Sequence, residues 1–243
     1  MKVVAVIPAR YKSSRFPGKA LIDLNGIPMI IRVCNIVSKA VGKSNTFVAT
    51  DDERIMQLVE SYQFKCVMTS EKCLTGTDRV YEFSKKINAD IYINVQGDEP
   101  LLNPNDILKV INEKQKYPKY VINAMSKIND INEALSNNVP KVLCNKNDEL
   151  IYISRSLIPG FKGGKNPIYF KQVCIYAFDK NQLAVFGTFK KKSLCEYYED
   201  IEILRFFDTQ IKIKMVETKT FSLAVDIPED VKKVVNELKK LEK

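Results

Sequence analysis

The sequence predicts an α/β fold, a mixed but mostly parallel sheet with helices on both faces, and three observations carry that expectation. Short apolar runs rich in β-formers alternate with patterns of helical period through the first half of the chain. Several of those runs are apolar throughout rather than alternating, as strands covered on both faces are. Proline, glycine and acidic residues mark the junctions between them. At 243 residues the chain fits one large domain, 1–243, with changes of pattern near 118 and 211.

Residues 2–7 make the first strand. Pro28 is expected at the first position of a helix, where its missing N–H costs nothing, with Met29, Ile30, Val33, Ile36 and Val37 on one face. Thr46–Thr50 is the second strand, and Asp51 or Asp52 caps a helix carrying Ile55, Leu58 and Val59. A third strand at Lys65–Met68, a helix over 77–87, a buried strand over 90–95 and a helix beginning at Pro104 follow. Past residue 118 the runs 120–125, 141–144, 150–154 and 168–178 read as strands of a mixed-sheet insertion, with a turn-rich segment bearing Gly160, Gly163 and Gly164 between the last two. A helix over 199–206, a strand over 211–216, an apolar strand ending at Asp226 and a helix opening at Pro228 complete the chain.

Composition excludes several classes. The chain holds 38 Lys and Arg against 29 Asp and Glu, a net charge of +9. Much of the lysine lies in patches such as Lys190 to Lys192 and along the last helix at Lys232, Lys233, Lys239, Lys240 and Lys243, which read as solvated faces. No zinc-finger, RNP or helix-turn-helix signature accompanies them, so no nucleic-acid partner is expected, and the excess charge suits polyphosphate. No apolar run approaches the about 18 residues of a membrane span, so no membrane role is expected. Residues 3–7 are too short for the core of an export signal and are interrupted by Pro8 and Arg10, so the expected location is the cytoplasm. Six scattered cysteines without a CxxC pair are expected as reduced thiols.

Three segments concentrate chemistry. The first is IPARYKSSRFPGK at 7–19, a loop leaving the first strand with Arg10, Lys12, Arg15 and Lys19 as cations and Ser13 and Ser14 as hydroxyl donors. Backbone N–H groups, hydroxyls and mobile cations at a strand end suit a polyphosphate. The spacing is not that of GxxxxGK[ST], because Ala20 follows Lys19. The second is INVQGDEP at 93–100, where a buried strand ends in Asp98 and Glu99. The third is VDIPED at 225–230, where Asp226 precedes a helix. Carboxylates at two strand ends facing a basic loop make a magnesium–nucleotide site, against which stand helix capping by Asp226 and turn formation by Asp98.

Taken together, IPARYKSSRFPGKAL, NGIPMI, VATDDERI, TGTDR, NVQGDEP, YISRSLIP, IYAF and VDIPED resemble, in order and over nearly the whole chain, the 3-deoxy-manno-octulosonate cytidylyltransferases, or CMP-Kdo synthetases. The resemblance implies a nucleotide-diphospho-sugar transferase (Rossmann-like) fold with a small dimerising insertion and a homodimer. It makes 1–117 the nucleotide-binding half, 118–210 the sugar-binding and dimerisation insertion, and 211–243 the metal-ligand strand and helix. The implied chemistry is attack by the anomeric hydroxyl of a 3-deoxy-ulosonic acid on the α-phosphate of CTP, releasing pyrophosphate, for lipopolysaccharide or capsule synthesis. The resemblance assigns Arg10, Ser13, Ser14, Arg15 and Lys19 to the triphosphate and Asp98 and Asp226 to Mg2+. Pro8, Ala9, Thr75, Gly76, Thr77 and Arg79 fall to the base and ribose, with Arg10, Lys19, Asp98 and Asp226 as the catalytic set. Gln96 lies between nucleotide and sugar, and Lys141, Arg155, Gln172, Tyr176 and Glu202 fall on the sugar side. For Tyr176 packing in an apolar strand is the rival reading, and for Glu202 a solvated helix face shared with Glu199.

Two departures fall on the acceptor side. The family pattern RHLGIYGY reads KQVCIYAF here, placing Gln172 at the histidine position in a chain without histidine, and LEQLR reads IEILR, placing Ile203 at a glutamine position. Glutamine still donates and accepts hydrogen bonds but does not titrate near neutral pH. The acceptor that the resemblance implies is Kdo, and the departures on the acceptor side point to a close analogue such as 8-amino-Kdo as well. The alternatives are a cytidylyltransferase for a sugar phosphate and a catalytically silent nucleotide-binding paralog.

Overall fold

The computed structural model describes residues 1–12, 16–164, 167–219 and 223–241. Strands β1 (Val3–Ala9), β4 (Thr46–Thr50), β5 (Lys65–Met68) and β6 (Ile91–Val95) are parallel neighbours in the order β6-β1-β4-β5, after a two-residue hairpin pair β2 (Asp23–Leu24) and β3 (Ile27–Pro28). The same sheet continues past β6 as β10-β7-β11, with β7 spanning Val121–Lys127, β10 spanning Phe170–Phe178 and β11 spanning Ile213–Thr218. β10 runs antiparallel between β6 and β7 and gives the sheet its mixed character. Segment 118–210 is thus not a separate layer, because β7 and β10 extend the central sheet. Only β8 (Lys141–Cys144) and β9 (Leu150–Ser154) form a ribbon off its path.

Side-chain alternation sends Ile7, Ile93 and Ile175 to one face, beneath α1 (Met29–Val41), α2 (Glu53–Ser61) and α4 (Pro104–Lys116). Val4, Val6, Tyr92 and Phe178 go to the other, against α3 (Gly76–Lys86), α6 (Lys180–Phe186) and a 3-10 helix over Glu202–Asp208. α5 (Ile131–Leu135) and α7 (Leu194–Glu199) are short helices within the added part, and α8 (Pro228–Leu241) packs Val234 and Leu238 on Leu24, Met29, Leu101 and Val225.

Three expectations change in detail. Pro28 is the residue before α1, with extended backbone at ψ 141°, rather than its first helical residue, because it closes the β2–β3 hairpin. The helix expected over 199–206 is two pieces, α7 and the 3-10 helix, separated where Asp200 turns left-handed at φ 51°. Residues 223–226 join no strand ladder, although Val225 N–H donates to Asp98 O at 2.9 Å. The six cysteines are all free thiols, as expected. Among the described residues no helix is long and apolar enough to cross a membrane.

Candidate active site

The chain leaves β1 toward β4 and β5 and returns through β6 on the opposite side, so the crevice at the carboxyl ends of β1 and β6 is the topological switch point. Open α/β sheets bind ligands there. Pro8 and Ala9 end β1, and the loop that follows is closed by Gly18 N–H donating to Tyr11 O at 2.9 Å. This closure returns Lys19 to the crevice. Its Nζ lies 2.5 Å from Asp98 Oδ2 and donates to Val225 O at 3.1 Å. One ammonium, one carboxylate and one carbonyl therefore join three segments far apart in the chain, and Asp226 follows directly. The packing of Val225 with α8 secures that neighbourhood. The carboxylate that satisfies the backbone at the start of α8 belongs to Asp230, which accepts from Asp226 N–H at 3.1 Å and Ile227 N–H at 3.2 Å.

Arg10 is exposed and, among the described residues, forms no ion pair or hydrogen bond. Ser13, Ser14 and Arg15 lie outside the described residues.

A second cluster surrounds Gln96. Gln96 N–H donates to Cys174 O at 3.2 Å, which splices the end of β6 to β10, and Gln96 Nε2 donates to Glu202 Oε1 at 2.8 Å. Glu202 Oε2 accepts Thr77 N–H at 2.9 Å. Burial pushes the Glu202 carboxyl above the ordinary glutamate range despite the bonds from Thr77. Glu202 is therefore no solvated surface acid. Gly76 and Gly97 are needed for close approach: a Cβ on Gly76 would lie 2.7 Å from Gln96 Nε2, and one on Gly97 would lie 3.0 Å from Pro8 O. Tyr176 is buried and stacked on Phe178 with ring centroids 6.1 Å apart, as packing would have it. Burial, with Cys174 and Glu202 beside it, holds its hydroxyl well above the ordinary tyrosine range.

Thr75 caps α3 reciprocally with Asp78: Thr75 N–H donates to Asp78 Oδ2 at 2.9 Å and Asp78 N–H to Thr75 Oγ1 at 3.3 Å. The first turn of α3 thereby presents Thr75, Gly76 and Thr77 beside Gln96 and Pro8.

Three basic residues that the resemblance assigns to the ligand are bonded to other parts of the chain. Arg79 is buried, with Nη2 2.7 Å from Asp51 Oδ2 and Nη1 2.5 Å from Thr69 Oγ1, so its guanidinium bonds α3 to the ends of β4 and β5. Lys141 is fully buried and donates to Ser136 O at 2.8 Å and to Arg155 O. Burial, and then the Arg155 charge, lower its pKa. Arg155 donates through Nε to Glu199 O at 2.5 Å and through its Nη atoms to the carbonyls of Asn137, Asn138 and Asp200. Carbonyls at the end of α7 attract a cation. Gln172 Nε2 donates to Asn123 Oδ1 at 2.9 Å.

Sequence reasoning missed Asp51, Asp78, Glu196 and Arg205 as parts of this framework. Thr75-x-x-Asp78 is a readable capping signal, and Arg205 closes the IEILR segment, but nothing local names its partners.

The family profile described as Cytidylyltransferase matches residues 4–213. The 3-deoxy-manno-octulosonate cytidylyltransferase of Geobacter metallireducens is 37% identical over 254 residues, covering 100% of both chains. That of Chloroherpeton thalassium is 40% identical, covering 96% of each. A solved CMP:2-keto-3-deoxy-manno-octonic acid synthetase complexed with CTP superposes with a TM-score of 0.92 at 36% identity, covering 99% of this chain and 100% of that one. Fold and sequence agree over the full length: the chain belongs to the cytidylyltransferases, in the family of the 3-deoxy-manno-octulosonate enzymes.

Proposed function

We propose that this protein transfers CMP from CTP to the anomeric hydroxyl of 3-deoxy-manno-octulosonate or a close analogue, releasing pyrophosphate, and so supplies an activated sugar acid for lipopolysaccharide synthesis. The observation that carries the reading is Lys19 held between Asp98 and Val225 at the switch-point crevice, with Asp226 adjacent. Arg10, exposed at the crevice rim, is available to the triphosphate, and Lys19 to the oxygens that gain charge as pyrophosphate leaves. The turn Thr75–Gly76–Thr77 with Pro8 and Ala9 lines the base side, and Gln96, Glu202, Tyr176 and Gln172 lie toward the acceptor.

The same donors fit a magnesium ion. Among the described residues no group of three metal-ligating side chains forms a protein cage. Mg2+ needs none, since it binds through one or two carboxylates and completes its shell with phosphate and water. The Asp98 carboxylate, set in the crevice and paired with the Lys19 ammonium, supports that reading. Asp98 and Asp226 would hold the ion. When bound it would neutralise phosphate charge and favour ionisation of the attacking hydroxyl.

A homodimer in the cytoplasm completes the proposal. Leu194, Tyr197 and Tyr198 on α7 are 68%, 68% and 75% exposed, an apolar stripe suited to a second copy. Sedimentation equilibrium checks this, and a monomer at micromolar concentration refutes it.

The direct test follows pyrophosphate release from CTP and magnesium with Kdo, 8-amino-Kdo, other ulosonic acids and sugar phosphates. Release with an ulosonic acid is expected, and its abolition by Asp98→Asn without loss of fold. Release only with a sugar phosphate would replace the proposal.

A further inference from the structure

Glu202 and Arg205 stand three residues apart in the 3-10 helix Glu202–Asp208, and at three residues per turn their side chains leave the same face. That face grips the first turn of α3 at two points. Glu202 accepts Thr77 N–H at 2.9 Å, one of the helix's otherwise unpartnered N-terminal donors. Arg205, fully buried, donates through Nη1 to Asp78 Oδ1 at 2.6 Å and through Nη2 to Asp78 Oδ2 at 3.1 Å. Asp78 is the carboxylate of the α3 capping box and also accepts from the Thr75 hydroxyl at 2.7 Å. On its other side Arg205 donates to the fully buried Glu196 at 2.7 and 2.6 Å. Burial opposes its charge, yet the two carboxylates outweigh that and hold it above the ordinary arginine range.

We infer that Arg205 is a positioning residue for nucleotide recognition. By clamping Asp78 it fixes the backbone of Thr75, Gly76 and Thr77, so that the acceptor-side helix and the nucleotide-side turn behave as one body. The inference rests on the proposed reading of that turn as part of the CTP site. Its rival is a purely structural arginine that anchors α7. The triad itself separates the two, because its ends differ: Asp78 belongs to the turn, whereas the hydrogen bonds of Glu196 go to Ser193 and Arg205. Loss of either carboxylate leaves buried charge poorly compensated and lowers stability. Only loss of Asp78 loosens the turn.

The experiment is calorimetric titration of CTP without acceptor into the wild type, Asp78→Asn, Glu196→Gln and Arg205→Lys, with Tm measured for each. Asp78→Asn and Arg205→Lys are expected to raise the Kd for CTP roughly tenfold, equivalent to about 1.4 kcal/mol, and Glu196→Gln to lower Tm while leaving Kd within about twofold. Asp78→Asn is isosteric, so it decides the question if Arg205→Lys fails to fold. Unchanged affinity in Asp78→Asn, or equal weakening by Asp78→Asn and Glu196→Gln in step with Tm, overturns the inference while the nucleotide site stands. A wild type that binds no CTP overturns both.

Discussion

Adding one methyl group at Gly76 isolates the contact between the two halves of the site. Gly76 is the first residue of α3, so alanine improves helix propensity there by at most about 1 kcal/mol. Its Cβ would stand 2.7 Å from Gln96 Nε2, 3.0 Å from Gln96 Oε1 and 3.1 Å from Pro8 Cγ. Pro8 is buried in β1 and cannot yield, whereas the Gln96 amide is the far end of a flexible side chain and can. The amide therefore swings away and breaks its 2.8 Å bond to Glu202. A hydrogen bond to a charged group contributes about 1.5–3 kcal/mol, and the propensity gain offsets part of that loss in stability. Tm should accordingly fall little. Catalysis has no such offset, because the displaced group is the one that the proposed function puts between nucleotide and acceptor: a loss of about 1.5–3 kcal/mol is roughly 10- to 150-fold in kcat/KM. Steady-state kinetics with both substrates varied, alongside thermal unfolding, checks this. Gly76→Ala with wild-type kcat/KM would refute the assignment of Gln96, and a large fall in Tm with no kinetic change would show that the contact is structural only.

Asp226 and Asp230 separate catalysis from helix capping, since Asp230 carries the capping bonds: Asp226→Asn should abolish turnover at nearly unchanged Tm, while Asp230→Asn keeps turnover and costs about 1 kcal/mol in denaturant unfolding. Arg10→Ala should leave Tm unaltered, because exposed Arg10 bonds nothing among the described residues, and should raise the KM for CTP about tenfold, the effect of losing one charged phosphate contact. Lys114 is buried, and desolvation lowers its pKa from 10.5 to about 8 despite Asp179 at 3.6 Å. Between those values the unfolded chain holds the proton that the folded chain lacks, so this residue makes stability rise with pH above about 8. Lys114→Met should flatten that rise in urea titrations across the alkaline range, and an unchanged slope would show that the ammonium stays charged.

What the sequence made legible was what local chain chemistry decides. Asp98 and Lys19 could be found because each follows directly from an apolar strand or its turn, and strand ends on one edge of a parallel sheet must meet. Arg79, Lys141 and Arg155 carry a related ambiguity: a basic residue in a motif looks the same whether its charge faces a ligand or a carbonyl. The distinction lies in partners such as Asp51, Ser136 and Asn137, brought in by folding. Arg205 closes the IEILR segment, but its role was not legible because its partner Asp78 is 127 positions away. The helix expected over 199–206 failed at Asp200, whose left-handed backbone is permitted to aspartate and carries no unique signature.

Gln172 shows how a departure from the family pattern acquires direction from its surroundings. Asn123 donates through Nδ2 to the carbonyls of Val173 at 2.9 Å and Ile175 at 3.0 Å, beside the irregularity where β10 shifts register against β7. Both bonds demand an amino group, so the Asn123 oxygen is the atom facing Gln172, and it accepts from Gln172 Nε2. The Gln172 amide is oriented in turn, which leaves its carbonyl oxygen and its second N–H for a further partner. A neutral imidazole at this position could offer a donor or an acceptor and an imidazolium only donors, whereas the oriented glutamine offers one of each at every pH. On the proposed function the residue that meets the sugar acid at this position does not titrate, so its contribution to the choice of acceptor stays constant with pH, and Ile203, at the family's glutamine position, is buried and offers no hydrogen bond of its own.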